Sequence, residues 1–433
     1  MKVKIDDIDK QQLKIIKLAK KITHTKKINF HYEENYLACW SNNLGSLILQ
    51  DKFKNKKSYI FYFFINLLNY ISFQKKYNIN YFFDENIKYK NLIFSYHTTN
   101  SKISYDEFFS INTNQTKNSL WIIFNLSNVK NIRFHKKNVI LINICFFNRL
   151  EQIFLFPVFL IKVIYFFLFN IKIYNKKLFK IFDIISNIIK NNLVNNSKFF
   201  LPFESQPHQL YLLEIIKKIN PKIKTFGYLH SCLPSLPTEF FYKKYLDRII
   251  VHGVDQLNIL VKHLGWKKDK IILTKSFRYV TSGIKKGAIY LPYSFRSPSL
   301  ILNEIKFIFE NEILNNCYNF HVVNHPHRTN SMKHNKLLKG INLLINKYKK
   351  NAQSIPEYSI FIGVTASLVE ALEMNIKVLH ISTNPEFEFH SRKIWKSFFV
   401  KKINSNVNFY KLQTKGKIIN FGQKNIFLKK FSL

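Results

Sequence analysis

The chain of 433 residues has little of what punctuates or cross-links a fold: 10 glycines, 11 prolines and four cysteines. Glycine poverty leaves no material for phosphate-cradling loops, and neither a P-loop nor a G-x-G-x-x-G fingerprint nor a G-x-S-x-G nucleophile elbow is present. Cys39, Cys145, Cys232 and Cys317 stand far apart without a C-x-x-C pair, so neither a zinc site nor a disulfide framework is indicated, and a reducing compartment is expected. Acid is scarce as well, with 26 Asp and Glu against 67 Lys and Arg, a formal net charge of +41. The only Asp-x-Asp spacing is Asp7-Ile-Asp9, with Asp6 beside it, at the start of a predicted helix. Acids there complement the helix dipole, and no metal site is expected. The first residues carry no apolar core behind their charges and do not read as a signal peptide. No period of 20–50 residues recurs.

What is abundant sets the scale. Hydrophobic residues are 47% and aromatics 16%, enough to fill two cores, and the length suits two α/β domains of about 150–250 residues each. The lysines are spread over the whole length, and Lys, Asn, Ile, Phe and Tyr are frequent together, as AT-rich coding produces. Nucleic-acid binding would need basic residues gathered on one face, and no nucleic-acid partner is expected. A diffuse positive field suits peripheral contact with anionic lipids at the inner face of the plasma membrane, worth about 1 kcal/mol per basic residue near the surface. The apolar stretch Val139–Tyr174 is broken by Arg149, Glu151, Pro157 and Lys162. Its clean runs fall short of the ~18–20 residues of a span, so a buried helix or an interfacial hairpin is expected and a cytoplasmic location follows.

The N-terminal third gives an amphipathic helix within residues 1–24, an apolar helix candidate from Tyr59 to Tyr77 and a strand at Ile79–Phe83. A polar loop between Ser101 and Ser119 precedes two apolar strands. From Lys198 the pattern is regular. Strands KFFLPFE, KIKTFGYLH, RIIVHG and KIILTKS alternate with helices, one opened by Pro207. After a linker at about Phe277–Lys286 the grammar restarts, with strands GAIYLPYS, NFHVVNH, YSIFIG and KVLHIS, and EFHSRKIWKSFF is predicted as a last helix. The expected architecture is α/β of the GT-B kind, two Rossmann-like doubly wound domains facing each other across a cleft. The expected boundaries are 1–280 for the acceptor-side domain (with the apolar segment 139–174), 287–400 for the nucleotide-sugar domain and 401–433 for a tail.

Polar residues recur just past predicted strand ends, where open α/β sheets bind ligands. In the second domain His325, Pro326, His327 and Arg328 follow one strand, and an imidazole and a guanidinium there suit a nucleotide and its phosphate. Thr365 and Ser367 sit in the small-residue turn GVTAS before a helix, an anion-binding arrangement, with Glu370 able to accept from ribose hydroxyls. The plain alternative is a capping box of Ser367 with Glu370. In the first domain Glu204 and His230 are the candidate general bases, with Gln206, Ser231 and Tyr279 on the acceptor side. For Glu204 the alternative is an N-cap carboxylate on the helix at Pro207, for His230 a solvent-facing loop histidine, and His252 reads as structural. Arg278, in the linker, can reach a donor phosphate or bridge the domains.

The runs PFESQP, GYLHS and SFRY resemble the E-x-Q-P, G-Y-x-H-S and S-x-R-Y pattern of bacterial surface carbohydrate biosynthesis proteins of capsule or O-antigen type, and YLACWSNNLG around Trp40 is more weakly similar to that group's start. The pattern falls on Glu204, Gln206 and Pro207; on Gly227, Tyr228, His230 and Ser231; and on Ser276, Arg278 and Tyr279. The HP and T-x-S residues resemble those of bacterial GT-B sialyltransferases and capsule-type transferases, which implies nucleotide and phosphate contacts for His325, Thr365 and Ser367. The acidic pair followed by glycine that supplies the sialyltransferase base has no counterpart here. The resemblance implies an inverting, metal-independent glycosyltransferase, without cofactor, taking a nucleotide-sugar donor as substrate and a glycan or lipid-linked acceptor. The alternatives are transfer of a polyol phosphate from a CDP-linked donor, and a non-enzymatic binder of membrane surface or nucleic acid.

Overall fold

The computed structural model describes residues 5–25, 75–97, 105–112, 115–125, 138–146, 156–158, 161, 177–233, 235–241, 246–280, 283–292, 295, 297–311, 319–325, 331–348 and 356–431. The apolar helix candidate at Tyr59–Tyr77 lies outside these except for its last residues, which begin a strand, and Trp40 lies outside them too.

Among the described residues, ten strands precede residue 280. They are β1 (Lys75–Phe83), β2 (Tyr89–His97), β3 (Tyr105–Asp106), β4 (Ile111–Asn112), β5 (Ser119–Asn125), β6 (Asn138–Phe146), β7 (Leu193–Pro202), β8 (Lys224–Tyr228), β9 (Arg248–Val251) and β10 (Ile271–Leu273). Eight form one sheet in the order β1-β6-β5-β2-β7-β8-β9-β10. All neighbours are parallel except β1, which runs antiparallel to β6 at one edge. From β2 the chain builds outward through β5 and β6, then returns to the middle and builds outward the other way through β7 to β10. This is the Rossmann order, and its reversal point lies between β2 and β7.

Central strands of such a sheet are covered on both faces and read as unbroken apolar runs. SLWIIFN of β5 is buried at all seven positions. The period-2 alternation divides those residues between two cores. Leu92, Phe94, Leu120, Ile122, Phe199 and Leu201 face helices Lys177–Asn192, Pro207–Ile219 and Val254–Lys262. Ile93, Trp121, Ile123, Phe200, Phe226 and Tyr228 face the other way. That second face is closed by the β3–β4 hairpin, through Phe108, Phe109 and Ile111, and by Phe427 and Phe431 of the last helix, Ile426–Phe431. The segment expected as a polar loop therefore carries a hairpin whose aromatic tip is core. The apolar stretch from Val139 begins as strand β6, buried from Val139 to Ile142, and most of its remainder lies outside the described residues.

The second sheet has six strands, β11 (Ala288–Tyr290), β12 (His321–Val323), β13 (Tyr358–Ile362), β14 (Lys377–Ile381), β15 (Phe398–Lys402) and β16 (Val407–Leu412), in the order β12-β11-β13-β14-β16-β15. The first four are parallel, with the reversal between β11 and β13, and β16 and β15 complete the sheet antiparallel. The structure thus holds two Rossmann-like α/β domains. Two expectations are corrected. Residues 388–399 form no long helix: a short helix, Pro385–Glu388, gives way to turns and then to β15. The sheet accordingly runs on to Leu412, past the boundary expected at residue 400.

The domains share one core, to which Leu229, Leu233 and Leu236 contribute from the first and Leu368, Leu372, Phe389 and Trp395 from the second. Polar contacts cross the same boundary: Ser235 Oγ donates to Phe387 O at 2.8 Å, and Ser397 N donates to Asp255 Oδ2 at 2.9 Å. The N-terminal helix, Ile5–Thr25, belongs to this junction. Gln12 donates to the carbonyls of Glu386 and Phe389, and Asp9 is buried, accepting from Ser391 and lying 3.5 Å from Arg392 Nε. Asp9 is therefore a tertiary anchor as well as a helix-start acid.

Candidate functional site

Strand β7 ends at Pro202, beside the reversal point of the first sheet. Just beyond it, Ser205 takes a left-handed backbone (φ 56°), a conformation that costs a non-glycine residue on the order of 1 kcal/mol or more. The chain turns sharply there, and helix Pro207–Ile219 starts with Gln206 as its N-cap. Gln209 holds the turn: its Oε1 accepts from Glu204 N at 2.9 Å and Gln206 N at 3.1 Å, while its Nε2 donates to Pro202 O at 2.7 Å. Glu204 is not the helix cap, which corrects the plain alternative for this residue.

The Glu204 carboxylate reaches instead across to the end of β8. Its Oε1 lies 3.1 Å from His230 Nε2 and accepts from Ser231 Oγ at 3.1 Å. His230 is buried, its Nδ1 without a hydrogen-bond partner among the described residues, whereas the Glu204 side chain keeps 36% of its exposure. Burial pushes the Glu204 carboxyl up, but the His230 imidazole, Ser231 and the charge of Arg278 outweigh it and hold the carboxyl down at about 2. One oxygen is thus engaged by protein, and the carboxylate stays ionised at every working pH. His230 is not the solvent-facing loop histidine of the alternative reading.

Arg278 is placed by Tyr228. The buried Tyr228 hydroxyl meets Ser276 Oγ at 3.1 Å and accepts from the backbone N–H of Phe277 (3.0 Å) and of Arg278 (3.2 Å). Ser276 Oγ in turn accepts from Tyr279 N at 2.9 Å. The SFRY turn is thus hung on the tyrosine of GYLHS, which joins two motifs 48 residues apart. The Arg278 guanidinium lies 5.3 Å from the centre of the Phe108 ring and 5.8 Å from that of Tyr279, and the Phe108 and His230 rings stand edge to face with centroids 4.7 Å apart. Tyr279 itself is buried. His252, fully buried at the end of β9, is held neutral by desolvation and the neighbouring His230, its imidazole down at about 3.

Several members of this cluster carry no motif. Phe108 is positioned by Asp106, which accepts from Ser95 and, at 2.7 Å, from Phe109 N. Burial raises the Asp106 carboxyl to about 6 despite those bonds. At the end of β2, Tyr96 Oη meets His208 Nε2 at 2.6 Å and accepts from Gln209 Nε2 at 2.9 Å. Desolvation lowers the His208 imidazole to about 4 against the pull of Glu204. Only the neighbouring P-H-Q after E-x-Q marks His208 and Gln209 in the sequence; Tyr96, Asp106 and Phe108 come from a distant part of the chain.

In the second domain, Gly363 (φ 67°) turns the chain after β13, and His380 Nε2 bonds its carbonyl at 2.7 Å. Thr365 Oγ1 accepts from Ser367 N at 3.3 Å. The helix Ser367–Glu373 begins with Ala366 as N-cap, so Ser367 lies inside the helix and the capping box with Glu370, the plain alternative for this turn, is not formed. Glu370 stands near the first domain: its charge acts on Cys232 and Tyr279 there and on Tyr290 of β11. His325 is half-buried just past β12. Pro326, His327 and Arg328 lie outside the described residues. The structure therefore brings Glu204, His230, Ser231, Arg278 and Tyr279 together, with Gln206 in the same turn. It sets Thr365, Ser367 and Glu370 at a strand end of the second sheet.

No family model matches the sequence, and no curated protein matches it. Solved structures similar to this chain include a trehalose-6-phosphate synthase studied for glycosyltransfer with retention, at 10% identity over 70% of this chain and 85% of the other, with a TM-score of 0.36. A UDP-forming alpha,alpha-trehalose-phosphate synthase from Burkholderia vietnamiensis matches at 11% identity, 62% and 77% coverage and a TM-score of 0.31. A glycosyltransferase from Rickettsia africae ESF-5 matches at 12% identity, 71% and 87% coverage and a TM-score of 0.34.

Proposed function

We propose that this chain is a GT-B glycosyltransferase, moving a sugar from a nucleotide-activated donor onto a growing surface polysaccharide or lipid-linked acceptor. The observation that carries the reading is the convergence of an ionised carboxylate, an imidazole and a guanidinium at the carboxyl end of one Rossmann-like sheet, with Glu370 of the other domain acting electrostatically on the same place. Open α/β sheets bind ligands at such reversal points.

In this reading the acceptor hydroxyl docks against Glu204. It attacks the anomeric carbon, a C–O bond forms as the bond to the donor phosphate breaks, and the electron pair leaves with the nucleotide phosphate. The hydroxyl proton passes to the Glu204 carboxylate. A group resting at about 2 is a weak base. The proton therefore moves late, once bond formation has acidified the hydroxyl, and the gain belongs near ~10²-fold, the low end for general bases. His230 and Ser231 fix the carboxylate by holding Oε1. A single displacement inverts the anomeric centre, and this chain's part needs no metal. Thr365, Ser367 and His325 form the donor side, and Pro326 and Arg328 follow His325 in the sequence. The positive surplus keeps the enzyme at the anionic inner leaflet, where lipid-linked acceptors stand.

The test is a panel of nucleotides and nucleotide sugars (UDP, CMP and CDP forms) assayed by thermal shift and by nucleotide release. Stabilisation by one nucleotide, lost in His325→Ala with Ser367→Ala, is the expected result. No stabilisation by any member, with no release, would sink the assignment.

A further inference from the structure

Arg278 is a cation in the site that, among the described residues, makes no ion pair, although its charge acts on Glu204 through space. It is exposed, and among the described residues no hydrogen bond or ion pair engages its guanidinium. Glu204 Oε1 is held instead by His230 and Ser231. Yet the side chain is laid down with care. Its backbone N–H is fixed on the buried Tyr228 hydroxyl, the carbonyl of Tyr279 accepts from Gly422 N at 2.9 Å, and the guanidinium lies by the rings of Phe108 and Tyr279. Phe108 is held in turn by the Asp106 turn and by its edge-to-face contact with His230.

A planar fork of N–H donors placed on aromatic rings and left unpaired is built for an oxyanion, carboxylate or phosphate, which it can bind bidentately. Two sources can supply that oxyanion, the donor's phosphates and an acid group on the acceptor. The side chains that fix Arg278 (Tyr228, Phe108, Tyr279) belong to the domain of Glu204 and His230, whereas the Thr365–Ser367 turn lies in the other. Resting on the transferase reading above, we infer that Arg278 is the subsite for a carboxylate or phosphate on the acceptor, so that the acceptor is an acidic glycan.

Equilibrium binding of D-glucuronate, glucose 6-phosphate, glucose, UDP and CMP to the full chain at low salt tests this. Wild type is expected to bind an acidic sugar at least about tenfold more tightly than glucose. Arg278→Gln should erase that preference and leave nucleotide affinity within about twofold. Phe108→Leu, which removes the ring but not the charge, should weaken the acidic sugars in the same direction. Lys339→Gln, at an exposed position on helix Met332–Tyr348 of the second domain, should change nothing, which separates a site from the diffuse charge. Equal binding of glucose and both acidic sugars by wild type overturns the inference. So does an Arg278→Gln variant that loses nucleotide affinity instead, since the guanidinium then serves the donor. Binding of acidic sugars through Arg278 with no nucleotide bound at all supports the subsite and counts against the transferase reading.

Discussion

Glu204 and Asp106 are both carboxyls inside the same site, and their surroundings push them opposite ways. Glu204 has an imidazole, a hydroxyl and a guanidinium about it and rests at about 2; Asp106 has only hydrogen bonds to offset its burial and rests at about 6. Glu204→Gln keeps shape and hydrogen-bonding capacity but removes the charge. We expect nucleotide affinity within about twofold of wild type and transfer slowed by about 10²-fold, read as nucleotide release under saturating donor. An unchanged rate removes Glu204 from the chemistry. For Asp106 the sign runs the other way from a salt-bridged acid. Its folded pKa lies above the usual 3.8, so between about pH 4 and 6 the folded state holds a proton that the unfolded state has lost. This residue's contribution to stability therefore falls as pH rises through that window, by on the order of 2–3 kcal/mol. Asp106→Asn should flatten that slope in urea titrations from pH 4 to 7 while preserving the acceptor for Phe109 N. A slope identical in variant and wild type would show that Asp106 titrates normally.

At the scale of elements, the chain from Lys415 onward works as a strap. Glu373, buried at the end of helix Ser367–Glu373, accepts from Gly416 N (2.6 Å), Ile418 N (2.8 Å) and Ile419 N (3.0 Å). The chain then pairs with the first domain, Asn420 N donating to His252 O and Ser276 N to Asn420 O, each at 2.7 Å. It finally seats Phe427 and Phe431 under the first sheet. The approach is close: a Cβ on Gly253 would stand 1.9 Å from Ile418 O, and one on Gly422 1.7 Å from Ser276 O, backbone in both cases. Gly253→Ala must therefore lift the strap, and we expect a loss of roughly 3 kcal/mol, with faster proteolysis near Lys415 and Lys417. Glu373→Gln, which leaves buried N–H donors without their anion, should lose about 2–3 kcal/mol. Urea midpoints within error of wild type for both would mean the strap carries no stability. None of this is legible in the sequence. The parallel strands and their helices are, because apolar runs with polar ends repeat from Lys198 and Pro207 opens its helix where expected. EFHSRKIWKSFF misleads because its charges fall at helical spacing. Its apolar members, Ile394, Trp395 and Phe398, in fact fill a core shared between domains, with Trp395 and Phe398 stacked at 5.5 Å. Strand-end residues can likewise be read as site residues, but their partners cannot. That Phe108 lies between His230 and Arg278, or that Tyr228 holds the SFRY turn, depends on contacts between distant segments that local pattern does not encode.

At the scale of the molecule, buried and half-buried imidazoles should set the acid limit of folding. His252 rests at about 3, His208 and His380 at about 4, and His390 lies well below its ordinary range, in each case chiefly because burial penalises the charged ring. They are spread over both domains, so no single site carries the effect. A histidine depressed in the folded state contributes stability that is complete above its unfolded pKa of about 6.5 and is lost as pH falls toward the folded value. One pH unit below 6.5, each of the four gives up on the order of 1 kcal/mol. Asp106, with its raised carboxyl, regains somewhat less than that over the same range, so the histidines prevail. Protonation also adds charge to a chain that already carries +41, which favours expansion. The urea midpoint should therefore fall between pH 7.5 and 5.5, above the range where ordinary carboxylates titrate, by an amount equivalent to roughly 3–5 kcal/mol. His380→Gln, which keeps a donor for Gly363 O but cannot protonate, should recover about a quarter of that loss. A midpoint at pH 5.5 equal to or above that at pH 7.5 would mean that these rings are already protonated or solvated in the folded protein, and that the cores around them are looser than their packing indicates.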